Sequence, residues 1–121
     1  MQIEELYRRK RPEGFTIYGI MNKGKSPAKE YLDSLDDKNR VQMTALIDRI
    51  NEHGLPFNTK RFRPLGEGVF ELKARSGSRI FCFQGSQNSL ILTHGFNKPK
   101  PRRLEIEKQK ALKWYKEYQN L

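Results

Sequence analysis

A chain of 121 residues is long enough for one domain with a single core and too short for two, and 36% apolar residues with seven Phe and five Tyr favour a folded chain over a disordered one. The 24 Lys and Arg against 14 Asp and Glu give a formal net charge of +10, while the single cysteine, Cys82, excludes an internal disulfide framework and fits a reducing compartment. No apolar run is long enough to span a bilayer, and the charged start Met1-Gln2-Ile3-Glu4-Glu5 lacks the apolar stretch of a secretory signal, so a cytoplasmic address with no membrane partner is expected.

In chain order, residues 1–14 read as a polar lead-in closing on Pro12-Glu13-Gly14, and residues 15–121 as a single domain. Phe15 to Met21 predicts a strand with Phe15 and Ile17 on one face and Tyr18 and Ile20 on the other. Ser26 then offers a hydroxyl cap and Pro27 a first helical residue, and Ala28, Tyr31, Leu32 and Leu35 follow as one apolar stripe. A second helix is predicted from Asp36 or Asp37, with Met43, Leu46, Ile47 and Ile50 facing the core and Gly54 and Pro56 ending it. So short a connection suggests that the two helices form an antiparallel hairpin.

The period then changes. Lys60 to Leu65 is a short candidate strand weakened by Pro64. Val69 to Arg75 alternates, with Phe70, Leu72 and Ala74 opposed to Val69, Glu71, Lys73 and Arg75. The tight turns at Ser76-Gly77-Ser78 and Gly85-Ser86-Gln87-Asn88 join it to strands Arg79–Gln84 and Ser89–Phe96 as an antiparallel meander. After Pro99 and Pro101, Arg102 to Tyr118 predicts a charged helix with Leu104, Ala111, Tyr115 and Tyr118 along one side, pinned to the sheet by Trp114, Tyr115 and Tyr118. The expected order is β-α-α-β-β-β-β-α, an α+β class in which helices cover one sheet face and the other is left for basic residues.

Charge is one-sided. Residues 1–59 carry 10 basic and nine acidic side chains, whereas residues 60–121 carry 14 basic and five acidic. Such asymmetry points to a polyanionic partner, most simply nucleic acid. There is no Walker-type loop, dinucleotide fingerprint or HExxH helix. One cysteine and two histidines do not make a standard structural zinc site, so no cofactor or metal is expected.

Basic residues on strands remain. Lys73 and Arg75 are two apart, on one predicted face, and Arg79 opens the returning strand across the turn. Lys98, Lys100, Arg102 and Arg103 follow the last strand, and Lys60, Arg61 and Arg63 precede the alternating one. Cations held this close need a counter-ion, and Glu71 alone reads as too little. A phosphate meets the need: Arg binds phosphoryl oxygens bidentately and Lys supplies a point charge. In RNA cleavage by the ribose 2′-OH, charge grows on the non-bridging oxygens, where fixed cations accelerate the step, and a Lys whose pKa is depressed by neighbouring Arg can serve as general base. Requiring the 2′-OH would make the activity RNA-specific, with Phe81, Phe83 or Phe96 as candidate stacking rings. Each group has a plain structural reading as well. Lys73, Arg75 and Arg79 fit a solvated sheet face, the Phe rings fit the core, Cys82 a small core residue and His53 a helix C-terminus. His94 alternates with Leu90 and Leu92 and fits a hydrogen-bonded structural histidine.

Four segments in register, Ser26 to Leu35, Gly54-Leu55-Pro56, Leu65 to Arg75 and His94-Gly95-Phe96-Asn97-Lys98, make the chain from about Phe15 to Tyr118 resemble the phage-derived branch of the RelE/HigB toxin family. The resemblance implies a RelE-like twisted antiparallel sheet packed against an N-terminal helical hairpin, with a C-terminal helix. It also implies the toxin of a type II toxin–antitoxin pair that cleaves mRNA on the ribosome, inhibits translation and is neutralised by a HigA-like helix-turn-helix antitoxin. By position, Lys73, Arg75 and Arg79 match the family's basic hairpin residues, Lys98 a basic position after the last strand, and His94 the recurring His-Gly-Phe segment, giving a candidate catalytic set of these five. Lys60, Arg61, Arg63, Lys100, Arg102 and Arg103 are candidate RNA contacts. Two departures stand out: Lys73 replaces the branch's usual arginine, and Leu104 to Ala111 carries no tyrosine, which leaves the general base unassigned. Rival readings are a non-catalytic nucleic-acid-binding protein and a toxin that poisons gyrase through protein contact.

Overall fold

The computed structural model describes residues 1–97 and 100–121. The elements run β1 (Gln2–Tyr7), β2 (Thr16–Met21), α1 (Pro27–Ser34), α2 (Asp37–His53), β3 (Phe62–Gly66), β4 (Val69–Lys73), β5 (Arg79–Gly85), β6 (Ser89–Phe96) and α3 (Pro101–Gln119). The predicted starts of the first two helices hold because local capping chemistry sets them. The Ser26 hydroxyl accepts from Lys29 N at 3.2 Å ahead of Pro27, and the Asp36 carboxylate accepts from Asn39 N at 2.8 Å. Arg40 then donates to the carbonyls of Leu35 (2.6 Å) and Leu32 (3.4 Å), the latter shared with the Leu35 N–H, at the end of α1.

Three expectations need correction. The polar lead-in contains a strand: β1 pairs antiparallel with β2, with Leu6 as an extra residue where the register shifts. Its apolar residues, Ile3 and Leu6, are three apart and pack into clusters on opposite sides of the sheet, so the two-residue period of a strand does not show in the sequence. The following segment is also tied down. The amide of buried Asn51 on α2 lies 3.0–3.2 Å from the carbonyls of Tyr7, Arg8 and Phe15. Second, the sheet is mixed rather than antiparallel. Its order is β1-β2-β6-β5-β4-β3, and β2 runs parallel to β6, which the long excursion through α1, α2 and three strands permits. The antiparallel meander β4-β5-β6 is present as expected.

Helices pack on both sides of this sheet, not on one. The first core joins Ala28, Leu32 and Leu35 to Met43, Ile47 and Ile50, and sets them against Ile17, Leu72, Ile80, Cys82, Leu90 and Leu92. On the opposite face α3 lays Leu104, Ala111 and Leu112 over Val69 and Phe81, then Trp114, Tyr115 and Tyr118 against Ile20, Phe83 and Ile91. Phe81 and Phe83 are fully buried, each worth about 1.5–3 kcal/mol in transfer. Among the described residues no helix is long and apolar enough to cross a membrane.

Tyr31 of α1 closes the lower end of the first core. Its hydroxyl lies 3.1 Å from Phe96 O and 3.0 Å from Asn97 Oδ1, and accepts from Arg79 N at 3.3 Å. A β-carbon at Gly95 would overlap this ring, which is held at its far end and has nowhere to move. Gly95→Ala is therefore expected to cost about 1–3 kcal/mol, the range of core overpacking, read as a lower denaturation midpoint with an unchanged slope.

Candidate functional site

Alternation along β4 sends Phe70 and Leu72 to the α1/α2 side and Val69, Glu71 and Lys73 to the α3 side. Pairing extends that second row: Glu71 stands opposite Arg63 of β3, and Lys73 opposite Arg79 of β5, which in turn faces Phe96 of β6. Four charged residues thus gather at one end of three adjacent strands.

They do not share one environment. Glu71 is completely buried, with Oε2 3.4 Å from Arg79 Nη1 and Oε1 3.5 Å from Arg63 Nη2. Arg79 is buried as well, while Arg63 is half-exposed. The counter-ion that looked insufficient in the sequence is therefore the centre of the cluster, and Arg79 is first of all its partner. Lys73 sits at the rim, half-buried, and neither it nor Arg75 has an ion-pair partner among the described residues.

Arg75 does not lie on the strand face of Lys73, as the alternation had suggested. The strand ends at Lys73. Ala74 N donates to Ser78 O and Gly77 N to Ala74 O, and a left-handed Gly77 (φ 99°) turns the chain. Ser76 N donates to Gln42 Oε1 at 2.9 Å, tethering this turn to α2. From the turn Arg75 nevertheless reaches the same opening as Lys73. A cleft of about 390 Å³ is lined by Thr59, Lys60, Arg61, Arg63, Lys73 and Arg75, five cations and one hydroxyl. Arg61 crosses back to donate to Lys73 O at 3.3 Å, so the floor of the cleft is braced by its own walls.

The other nominated residues lie elsewhere. His94 does not share the face of Leu90 and Leu92. Thr93 and His94 together stand opposite Phe81, a bulge that turns His94 toward α3, where Nε2 meets Glu107 Oε2 at 2.7 Å and Nδ1 meets Thr93 Oγ1 at 3.0 Å. Burial pushes its pKa down, against the Glu107 carboxylate, which favours the charged ring. It is a buried hydrogen-bonded histidine. Lys98 lies outside the described residues, as does Pro99. Lys100, Arg102 and Arg103 are exposed at the start of α3, away from the lining of the cleft; that first turn has no acidic residue and no side-chain cap, and Arg103 pairs with Glu107 at 3.1 Å. Cations there oppose the helix dipole, so the end is predisposed toward an anion.

Phe81 and Phe83 are sealed in the core and cannot stack on a base, and Phe96 packs edge-on against Phe81 at 4.8 Å. Cys82 is buried too, its thiol held far above the ordinary range by burial and, secondarily, by Glu71. Among the described residues no group of three or more His, Cys, Asp or Glu is placed to hold a metal ion.

Three residues escaped the sequence reading. Glu71 was legible as a carboxylate on the cationic face of an alternating strand. Tyr31 was counted in an apolar stripe, and the hydroxyl at a core position was its signal. Burial pushes its phenol pKa up, with the Arg79 backbone N–H, the Ser78 side chain and the Arg79 charge acting the other way, so it stays a neutral hydrogen-bonding group at neutral pH. Phe57 is fully exposed in the loop between α2 and β3, an aromatic ring between Leu55-Pro56 and the polar run Asn58 to Arg61.

A family model described as "Phage derived protein Gp49-like (DUF891)" matches residues 30–116, which include α2, the whole meander and most of α3. None of the curated proteins matches the chain.

Proposed function

The chain belongs to the phage-derived Gp49-like protein family, and on that footing we propose that it is a RelE/HigB-like toxin of a type II toxin–antitoxin pair that cleaves mRNA. Members of the family are commonly toxins of such pairs. The observation that carries the reading is the cleft between β3, β4 and the turn after β4, where Lys60, Arg61, Arg63, Lys73 and Arg75 converge on a space large enough for a ribose–phosphate linkage.

The chemistry follows from that convergence. Arg61, Arg63 and Arg75 grip phosphate oxygens, while Lys73 adds a compact charge at the rim. When the 2′-OH attacks the adjacent phosphorus and the 5′-oxygen leaves, negative charge rises on the non-bridging oxygens. Cations already in place stabilise it without reorganising. The side chains supply this charge themselves, which supports cleavage without a metal ion. The substrate is mRNA on the translating ribosome, the address is the cytoplasm, and a HigA-like helix-turn-helix antitoxin is the expected neutralising partner.

A second reading, nucleic-acid binding without cleavage, is favoured by one observation: Arg79 and His94 are committed to buried partners, which leaves the cleft without an assigned general base. Lys73→Ala separates the two. In a translating extract, the wild-type chain is expected to create new mRNA 5′ ends detectable by primer extension, and the variant to produce at least about tenfold fewer at an unchanged melting temperature. Salt-sensitive RNA binding by the wild type with no new ends would leave binding as the function.

A further inference from the structure

Phe57 stands in a second groove of about 540 Å³ whose lining includes Leu46 and Arg49 of α2, His53, Arg61 and Arg75. Arg61 and Arg75 line this groove and the cation cleft alike, so the two openings adjoin at a shared pair of guanidinium side chains. We propose that Phe57 is a stacking platform for one unpaired base of a single-stranded nucleic acid whose backbone lies in the adjoining cation cleft. The inference rests on the nucleic-acid reading of that cleft, not on cleavage.

An exposed phenylalanine leaves its whole ring in water, and folding gains nothing from it. Protein-docking faces gather apolar side chains into a contiguous patch with a polar rim. The groove of Phe57 differs: its other apolar side chains, Leu46, Leu55 and Pro56, are half-buried, Leu46 and Leu55 against the first core, and Arg49, Arg61 and Arg75 make its wall cationic. A fully exposed ring beside arginines is a composition that holds single strands without duplex structure, with bases stacking on the aromatic face and on guanidinium planes while cations track the phosphates. Phe57 lies three residues before Lys60, at most about 11 Å along the chain, so one strand can reach from a phosphate in the cation cleft to a base on the ring. This places base readout in the α2–β3 loop, not on the strand phenylalanines.

The test uses the full chain and a single-stranded RNA oligonucleotide made uncleavable by 2′-O-methylation. Phe57→Ala is expected to weaken binding by about five- to a hundredfold, the worth of one base stack, while Phe57→Tyr and Phe57→Trp stay near wild type. Replacing one nucleotide at a time by an abasic unit should weaken the wild type at one position and leave Phe57→Ala indifferent there. Because the ring is uncharged, the slope of affinity against salt should not change with Phe57→Ala, whereas Arg61→Ala should lower it. In Phe57→Trp, the new indole should be quenched on binding. Equal affinity of wild type and Phe57→Ala overturns the proposal, as does an equal loss on the same sequence annealed as a duplex. A Phe57→Ala variant that binds RNA normally but loses a protein partner also overturns it and gives the ring to that partner. Phe57-dependent binding without new mRNA ends would remove the cleavage reading alone.

Discussion

Glu71→Ala is expected to cost about 3–5 kcal/mol of stability, close to half of what a small domain has, and to do so with no effect on the packing of the first core. The carboxylate is inaccessible to water and is the only acid among the described residues paired with Arg79, whose guanidinium is itself buried. Truncating Glu71 leaves that charge desolvated and uncompensated. Arg63 loses a partner too, but it is half in solvent and recovers water, so its share is small. Arg79→Ala reverses the injury, leaving the buried carboxylate with Arg63 alone, and should cost a similar amount. Replacing both with apolar residues of similar volume, as in Glu71→Leu with Arg79→Met, should recover most of either loss, because no buried charge then lacks its partner. Urea melts of the four proteins test this; single variants within about 1 kcal/mol of wild type would mean that the pair is solvated. The consequence for function is direct. A loss of cleavage in Arg79→Ala would report a broken fold as readily as a missing catalytic group, whereas Lys73 at the rim can be removed cleanly.

What the sequence made legible was decided locally. Ser26-Pro27, the acid at Asp36 and the alternation from Val69 to Lys73 act within a few residues of themselves, and each predicted feature stands in the structure. The parity of His94 was not local. Counting by twos from Leu90 places it with the first core, and only the bulge at Thr93 and His94, imposed by pairing with β5, turns it to α3. The β2–β6 pairing joins residues more than seventy positions apart, and nothing in either strand announces it as parallel. The candidate site shows the same limit. Lys73 and Arg75 were read on one face with Arg79 across the turn, but such a reading does not say how much of each side chain is covered. Arg79 went under as the partner of Glu71 while Lys73 remained at the rim. Arg75 reached the cleft for a reason other than the one expected, from the turn and not from the strand. The stacking rings were sought among strand phenylalanines, whose period marked them as core, while Phe57 in its loop had no period to draw notice.

Acidification should loosen the attachment of α3 through His94. Its ring lies between Thr93 and Glu107 beneath the helix, with Arg103 (3.1 Å) and Lys110 (3.4 Å) paired to the same carboxylate. A carboxylate 2.7 Å from Nε2 requires a proton between them. The Thr93 hydroxyl has a single hydrogen, to be given either to Nδ1 or to Phe81 O at 3.0 Å. With a neutral ring it goes to Nδ1; on protonation Nδ1–H becomes the donor and the hydroxyl turns to Phe81 O. Burial makes the charged state costly, and the folded pKa falls below the ordinary value near 6.5. The unfolded chain therefore takes up its proton first. The contribution of His94 to stability is complete above about pH 6.5 and is lost as pH falls through the lower folded value. Glu107→Ala removes the group that supports the charged ring and should drive that pKa lower still. The variant is expected to lose about 2–3 kcal/mol near pH 8, from a buried charge-assisted hydrogen bond and two ion pairs, and to lose more than wild type again by about pH 5. Urea melts at the two pH values, with the His94 ring titrated by NMR, measure both effects. A flatter pH profile in Glu107→Ala would overturn the assignment of the acid loss to the imidazole.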